Sequence, residues 1–254
     1  TVVGPSVTEV SFTPPSEGPF TGVVRIATTD PVSHYTGGGT MYSSVVYEDY
    51  TITGIGVGPP TVSNDGGATN ILARSATLRG AVLNNGGLNP TVKMYWGLSN
   101  GGTNAAAWTN FYNFGIRGVG VFSNSFTLKP KRTYYYRVYG ENVAGGRWAS
   151  STATFITPTT SPIVANVSAS NVGVTVAMMG GNVICTGGLP TTVRIYWGQT
   201  NGGTDFAAWA HTNDLNIRNE GSFQSQATGL TKGTLYWYRC HGTNSVGGYW
   251  AVSS

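Results

Sequence analysis

The side chains that could perform chemistry are few and dispersed. The chain carries three histidines, His34, His211 and His241, and two cysteines, Cys185 and Cys240. The histidines lie far apart, and none sits in a Ser or Cys signature of the kind that pairs a nucleophile with a base. Cys240 and His241 are neighbours, but consecutive residues of a strand point to opposite faces of a sheet. We therefore predict that the protein is not an enzyme.

Recognition motifs for metals and cofactors are also missing from the sequence. The two cysteines have no CxxC or HxxxH spacing around them to complete the four ligands that zinc takes. Asp30, Asp65, Asp205 and Asp214 do not follow the spacing of a calcium-binding EF-hand loop. The repeated turn NGGT is not followed by the GK[ST] of a phosphate-binding loop. The sequence predicts no bound cofactor and no metal.

Composition narrows the class of protein and its partners. Only 9% of residues are charged, the net charge is +4, and KPKR at 129–132 is the one basic cluster. Nucleic-acid-binding domains carry a denser basic stripe, so we expect no nucleic acid. We also expect no membrane span, since no run of 18 apolar residues occurs. Low Lys and Glu content and a Thr start favour an extracellular or cell-surface protein, either matured by loss of a leader or trimmed.

The chain repeats itself with a period of about a hundred residues, which is the size of one immunoglobulin-like domain. Within each unit apolar residues alternate, as Leu78, Gly80 and Val82 do, and Gly and Asn clusters separate the alternating runs. This pattern predicts half-buried antiparallel strands. The matching segments are YWGLSNGGTNAAAW (95–108) with YWGQTNGGTDFAAW (196–209), and YYYRVYGENVAGGRWA (134–149) with YWYRCHGTNSVGGYWA (236–251).

These repeated motifs resemble the fibronectin type III or immunoglobulin-like repeats of secreted bacterial surface proteins. The resemblance implies an all-β fold of tandem sandwich domains, and says little about function because such sandwiches serve many roles. We divide the chain into a candidate donor strand (1–14), a small β region (15–58) with strands at 21–29, 41–48 and 49–57, and sandwiches at 59–158 and 159–254.

The two cysteines occupy positions that alternation turns inward. Cys185 shares a face with Val183 and Gly181, and Cys240 shares one with Tyr238. In a sandwich these faces, on strands B and F, lie opposite each other. We predict a disulfide between Cys185 and Cys240 that closes a loop of about 55 residues and contributes roughly 3–4 kcal/mol.

Aromatic residues fall into repeated and unrepeated groups. The repeated tryptophans are expected to pack the two cores, because both units need the same core. Unrepeated aromatics are the better candidates for stacking on sugars if glycans are a second class of partner. The repeated pairs are Trp96 and Trp197, Trp108 and Trp209, and Trp148 and Trp250; the unrepeated residues are Phe111, Tyr112, Phe114 and Tyr249.

The second unit lacks the last strand of the first. That strand reads SSTATFITP (150–158) with Ala153 and Phe155 inward, whereas Ser254 matches Thr152 in the repeat. A sandwich without this strand leaves an apolar groove and an unpaired edge, which invites another chain. The acceptor residues we predict around the groove are Tyr238, Cys240 and Trp250.

The N-terminus contains a segment that could fill such a groove. TEVSFTP (8–14) and TATFITP (152–158) both alternate and both end in Thr-Pro. We predict that Thr8, Val10 and Phe12 of one copy form a donor strand for the next copy, as in donor-strand exchange. A head-to-tail contact that does not close produces a filament of identical subunits.

Two other interpretations remain open at the level of sequence. The chain could be a fragment of a longer surface protein, cut before its last strand. It could also be a carbohydrate-binding module attached to an enzyme.

Overall fold

The structure, a computed structural model, describes residues 18–30 and 44–254. These residues form an all-β protein of antiparallel sheets, in which the helical elements are two short 3₁₀ turns. The all-β prediction is confirmed. Across the described ranges, no helix has the length and apolar character needed to cross a membrane.

The N-terminal part is a long two-stranded hairpin. Strand β1 (Gly18–Asp30) pairs with β2 (Ser44–Gly56) in one unbroken register, from Gly18 opposite Gly56 to Asp30 opposite Ser44. The expectation of separate strands at 41–48 and 49–57 was therefore wrong, because Glu48 and Asp49 lie within one continuous strand and pair directly with Ile26 and Arg25 of β1.

The first sandwich consists of two sheets. The order β3-β4-β7 forms one sheet and β10-β8-β5-β6 forms the other, with β9 pairing with β8. The elements are β3 (Thr61–Ser63), β4 (Ser75–Asn84), β5 (Thr91–Gly97), a 3₁₀ turn (Ala105–Ala107), β6 (Asn110–Ile116), β7 (Gly120–Thr127), β8 (Thr133–Asn142), β9 (Gly145–Trp148) and β10 (Ala153–Ile156).

The second sandwich repeats this plan without an element corresponding to β10. Its sheets have the orders β11-β12-β15 and β14-β13-β16-β17. The elements are β11 (Ile163–Ser170), β12 (Val176–Cys185), β13 (Thr191–Gly198), a 3₁₀ turn (Phe206–Ala208), β14 (His211–Arg218), β15 (Gly221–Thr228), β16 (Trp237–Thr243) and β17 (Gly248–Trp250).

Each sandwich has its own core, built from the inward residues of both sheets. Leu78 of β4, Met94 of β5 and Tyr136 of β8 belong to the first core, and Val183 of β12 and Ile195 of β13 belong to the second. In both, a phenylalanine crosses over a glycine of the opposite strand. A Cβ added to Gly181 would lie 2.4 Å from the ring of Phe223, so this contact needs glycine.

An asparagine at the end of β8 and of β16 ties the start of each sandwich to a neighbouring turn. Asn142 Nδ2 donates to the carbonyl oxygens of Gly58 at 2.8 Å and Asn85 at 3.1 Å. Asn244 Nδ2 donates to Thr160 and Thr186, both at 2.9 Å. Because backbone carbonyls that lose their partners in a half-buried site are costly, one amide side chain holds three segments of chain together.

We expect Asn244→Ala to lower the free energy of unfolding of the second sandwich by about 1–3 kcal/mol, since two carbonyl groups lose their donor. Urea unfolding followed by circular dichroism measures the loss. Ser245→Ala changes an exposed neighbour and should leave stability within about 0.5 kcal/mol. Equal midpoints for the two variants would show that the amide contacts contribute little.

Candidate functional site

The uncovered edge of β16 is the feature that distinguishes the second sandwich from the first. In the first, β10 pairs with the start of β8, with Ala153 opposite Tyr136 and Phe155 opposite Tyr134. Within residues 44–254, the start of β16 pairs with β13 on one side, and no strand pairs with it on the other side, where β10 lies in the first sandwich. Strand β8 begins at Thr133, which matches Leu235, whereas β16 begins two residues later at Trp237. The end of the strand that lacks a second partner is therefore the end that is shorter.

The chain nevertheless approaches the groove along the same path in both sandwiches. The Ala149 amide donates to Val138 O at 2.8 Å, and the Ala251 amide donates to Cys240 O at 2.9 Å. Beyond these contacts, Asn64 Nδ2 donates to Ser151 O and Asn166 Nδ2 donates to Ser253 O. The two sandwiches therefore have matching geometry up to the residue at which β10 would begin.

A cavity of about 590 Å³ lies beside the uncovered edge. Its walls are mainly apolar and come from both sheets and from the segment before β16. The lining residues that define its floor and edge are Ala177, Met179, Ala227, Leu230, Tyr236 and Tyr238.

Two differences between the repeats create this cavity. In the first sandwich the ring of Phe155 is buried, stacked 5.7 Å from the ring of Tyr134. Tyr236 matches Tyr134 and lines the cavity, but no phenylalanine ring is stacked on it as Phe155 is on Tyr134. In addition, Ala227 stands where the first sandwich has Phe126, whose ring lies 4.1 Å from that of Trp96. The space is therefore large enough for at least one aromatic side chain.

The predicted acceptor residues do not all lie in the groove. Tyr238 lines it and donates its hydroxyl to Val167 O. Cys240 is fully buried in the core below. Trp250 lies on the outer face, with its ring 5.0 Å from that of Tyr196, because β17 pairs it with His241 rather than with an inward residue.

Sequence reasoning missed most of the lining. Alternation along β12, extended back from Val183 and Gly181, would have indicated Met179 and Ala177, but nothing in the sequence indicated Ala227 or Leu230 as neighbours of the missing strand. The predicted donor residues Thr8, Val10 and Phe12 lie outside the described residues.

The predicted disulfide is not formed, since Cys185 and Cys240 are both free. Cys240 packs against Gly181, where an added Cβ would lie 2.7 Å from its Sγ. Cys185 is four residues further along the same strand, roughly 13 Å at about 3.3 Å per residue. A disulfide needs Cα atoms within about 7 Å. Alternation placed Cys240 correctly in the core, whereas Cys185 is only half-buried and lies outside the core cluster. It could not give the heights of the two residues in the sandwich.

A second cluster of side chains lies on the outer face of the second sandwich. His241 is 7% exposed, and its ring centre lies 4.7 Å from that of Trp250 and 5.0 Å from that of Phe206. Its Nδ1 atom has no hydrogen-bond partner. Burial, together with the nearby Arg194 guanidinium, lowers the pKa of His241, so the imidazole is held in its neutral form.

Metal binding finds no support in the part of the chain that the structure describes. Across residues 18–30 and 44–254, no three His, Cys, Asp or Glu side chains come together in a way that could hold an ion.

A scan against protein-family models and a search of curated proteins found no match to this chain. Its class therefore rests on its architecture, an all-β protein built from two sandwich-like repeats, the second of which has an open apolar groove.

We expect one thiol per native chain to react with Ellman's reagent and both to react after unfolding. Cys185 is half-buried, whereas Cys240 is fully buried, and burial raises the pKa of Cys240 to about 12. The thiolate is the reactive form. Cys185→Ser should abolish the native reaction. If the unfolded, unreduced protein showed no reactive thiol, the two cysteines would be joined after all.

We expect the second sandwich to lose stability as pH falls below about 6.5, the ordinary pKa of histidine. The folded-state pKa of His241 is depressed, so below that pH the unfolded chain binds a proton that the native protein resists. His241→Tyr, which introduces the matching residue of the first repeat, should reduce the difference in urea midpoint between pH 7.5 and pH 5.0. The same loss in both proteins would exclude His241 as its source.

Proposed function

We propose that this chain is the structural subunit of an extracellular filament, assembled from fibronectin type III-like sandwiches by donation of a β-strand. The N-terminal segment of one copy would fill the groove in the second sandwich of the next copy. The observation that carries the proposal is the apolar cavity beside the uncovered side of the start of β16, at the place that β10 fills in the first sandwich.

Strand β10 shows what an occupant of such a groove must provide. Phe155 buries its ring between the sheets, which is worth about 2–3 kcal/mol. Thr157 is buried behind it, and its Oγ1 donates to Lys129 O at 2.7 Å. An occupant therefore needs one large apolar side chain facing inward and a backbone free to pair with β16.

The donor segment meets this requirement in one register. When TEVSFTP is aligned with TATFITP on Thr-Pro, Phe12 falls at Ile156, which is 66% exposed. A shift of one residue places Phe12 at the position of Phe155. Burial of that ring, about 2–3 kcal/mol, outweighs a threonine hydrogen bond worth about 1 kcal/mol. We therefore propose that Phe12 enters the cavity beside Tyr236.

This arrangement leads to an open polymer. The donor segment and the acceptor groove lie at opposite ends of the sequence, so each copy can give one strand and receive another. Such a heterologous contact extends into a fibre unless its rotation closes a ring. With only 9% charged residues, charge repulsion between neighbouring fibres would be weak. The proposed partners are other copies of the chain, at the cell surface or outside the cell.

A second candidate follows from the hydrogen bond between Asn166 and Ser253 O. This contact leaves the chain pointing along the path that Ser151 takes into β10. A continuation of the same polypeptide could therefore fill the groove, and the chain would then be part of a non-polymeric surface protein.

A peptide of residues 6–14 should bind a chain that lacks residues 1–14 and stabilise its second sandwich. At a hundred times the dissociation constant, the gain is about 2.7 kcal/mol. Phe12→Asp in the peptide should abolish binding, because it places a charge in the cavity. Ser11→Asp should be tolerated, because Ser11 faces outward in the proposed register. Thermal unfolding with each peptide measures the effect.

The full-length chain provides the second arm of this test. Electron microscopy of residues 1–254 should show fibres that deletion of residues 1–14 removes and that the 6–14 peptide blocks. Fibres that survive the deletion would contradict strand donation. If a peptide of residues 150–158 bound and the 6–14 peptide did not, the groove would belong to a continuation of its own chain.

A further inference from the structure

The outer face of the first sandwich carries a row of aromatic rings across four strands. Tyr95 of β5 is the centre of the row, with Phe111 of β6 stacked at 5.7 Å and Trp148 of β9 at 5.0 Å. The ring centre of Tyr139 of β8 lies 4.9 Å from that of Trp148. Phe111 is 61% exposed, the other three rings are half-buried, and none of the four belongs to the core cluster. The expectation that Trp148 packs the core was therefore wrong.

The second sandwich has a matching group of rings on its outer face, and one additional aromatic ring covers this group. Tyr196 and Trp250 match Tyr95 and Trp148, and His241 matches Tyr139. Phe206, the first residue of the second 3₁₀ turn, lies over them, 4.8 Å from Trp250 and 5.4 Å from Tyr196.

The position of Phe206 indicates that this aromatic surface can bind a flat ring. It is 51% exposed, so it lies on the surface as a flat six-membered ring, while Tyr196 beneath it is buried. The matching residue in the first sandwich is Ala105, which has no ring, and Tyr95 and Tyr139 stay only half-buried. The first sandwich therefore has the same binding surface for a six-membered ring, which we call the seat. No side chain of its 3₁₀ turn covers this seat.

Polar groups at the border of this seat decide the chemistry of the ring. Lys93 Nζ lies 2.7 Å from Glu141 Oε1, and both neighbour Tyr139, with Lys93 directly opposite it. Asn113 lies opposite Lys93 on the other side. A phenylalanine ring would cover these groups without bonding them, which is costly, and a tyrosine or tryptophan would offer them only one polar group. A sugar ring offers hydroxyl groups that both donate and accept.

We propose that the Tyr95–Trp148 surface of the first sandwich is a glycan subsite that binds one neutral hexopyranose, with its C–H face stacked on the aromatic rings and its hydroxyl groups bonded to Lys93, Glu141 and Asn113. The subsite does not depend on strand donation, since the first sandwich contains its own β10. If the chain polymerises, each subunit adds one such subsite to the fibre.

The proposal is tested by exchanging the residues that differ between the two seats, Ala105 in the first sandwich and Phe206 in the second. The probe is an array of immobilised neutral glucose, galactose and mannose oligosaccharides, with the best oligosaccharide then titrated against tryptophan fluorescence. Ala105→Phe should close the seat and weaken binding by about tenfold or more. Ala106→Phe, on an exposed neighbour in the same turn, is the matched control and should bind like wild type. Phe206→Ala should open the second seat and raise the number of bound sugars per chain.

Neither phenylalanine substitution touches a core residue, so folding can be checked by circular dichroism before binding is read. The proposal fails if wild type binds no sugar on the array or if Ala105→Phe binds as tightly as Ala106→Phe. It also fails if Ala105→Phe reduces self-association and leaves sugar binding unchanged, because the seat would then accept a second copy of the chain. A Phe206→Ala chain with unchanged stoichiometry would contradict the equivalence of the two seats.

Discussion

The pairing of backbone edges is the constraint on which the rest of this molecule depends. Strand β8 has partners along both sides, with β5 on one and β9 and β10 on the other. Strand β16 has β13 on one side, but on the other side β17 reaches only from His241 to Thr243. The remaining backbone groups must find a partner elsewhere, because an unpaired sheet edge is a template for another strand. Loss of regular pairing before Trp237, the cavity and the exposed Leu235 all follow from this shortage.

The two repeats serve as controls for each other. Both place a glycine under a phenylalanine, both end a strand with an asparagine that holds a turn, and both use an arginine to bind the chain as it leaves the sheet. Arg137 and Arg239 donate to Ala149 O and Ala251 O at the same distance of 2.7 Å. Because this framework is shared, the differences stand out as local changes at the groove and on the outer aromatic face.

These differences lie at two surfaces, the groove between the sheets and the outer aromatic face. The first sandwich is closed by Phe155 and leaves its aromatic row open, with Phe111 61% exposed. The second covers the matching row with Phe206 and leaves its groove open. The open groove and the open aromatic surface are the two features behind our two proposals, a contact to a strand and a contact to a sugar ring.

The sequence by itself determined the all-β class and the repeat, and it showed that residues 159–254 contain no counterpart of the strand at 150–158. Period-two alternation and the matching motifs were sufficient, because both are properties of local chain order. The tertiary structure alone decided which residues meet across the two sheets. Cys240 is buried in the core whereas Cys185 is half-buried further along β12, and Trp250 turns outward because of its pairing with His241. Ala227 lines the groove and Phe206 covers the aromatic face through contacts between distant segments. Alternation gives the face of a side chain, whereas its neighbours depend on the register and stacking of whole sheets.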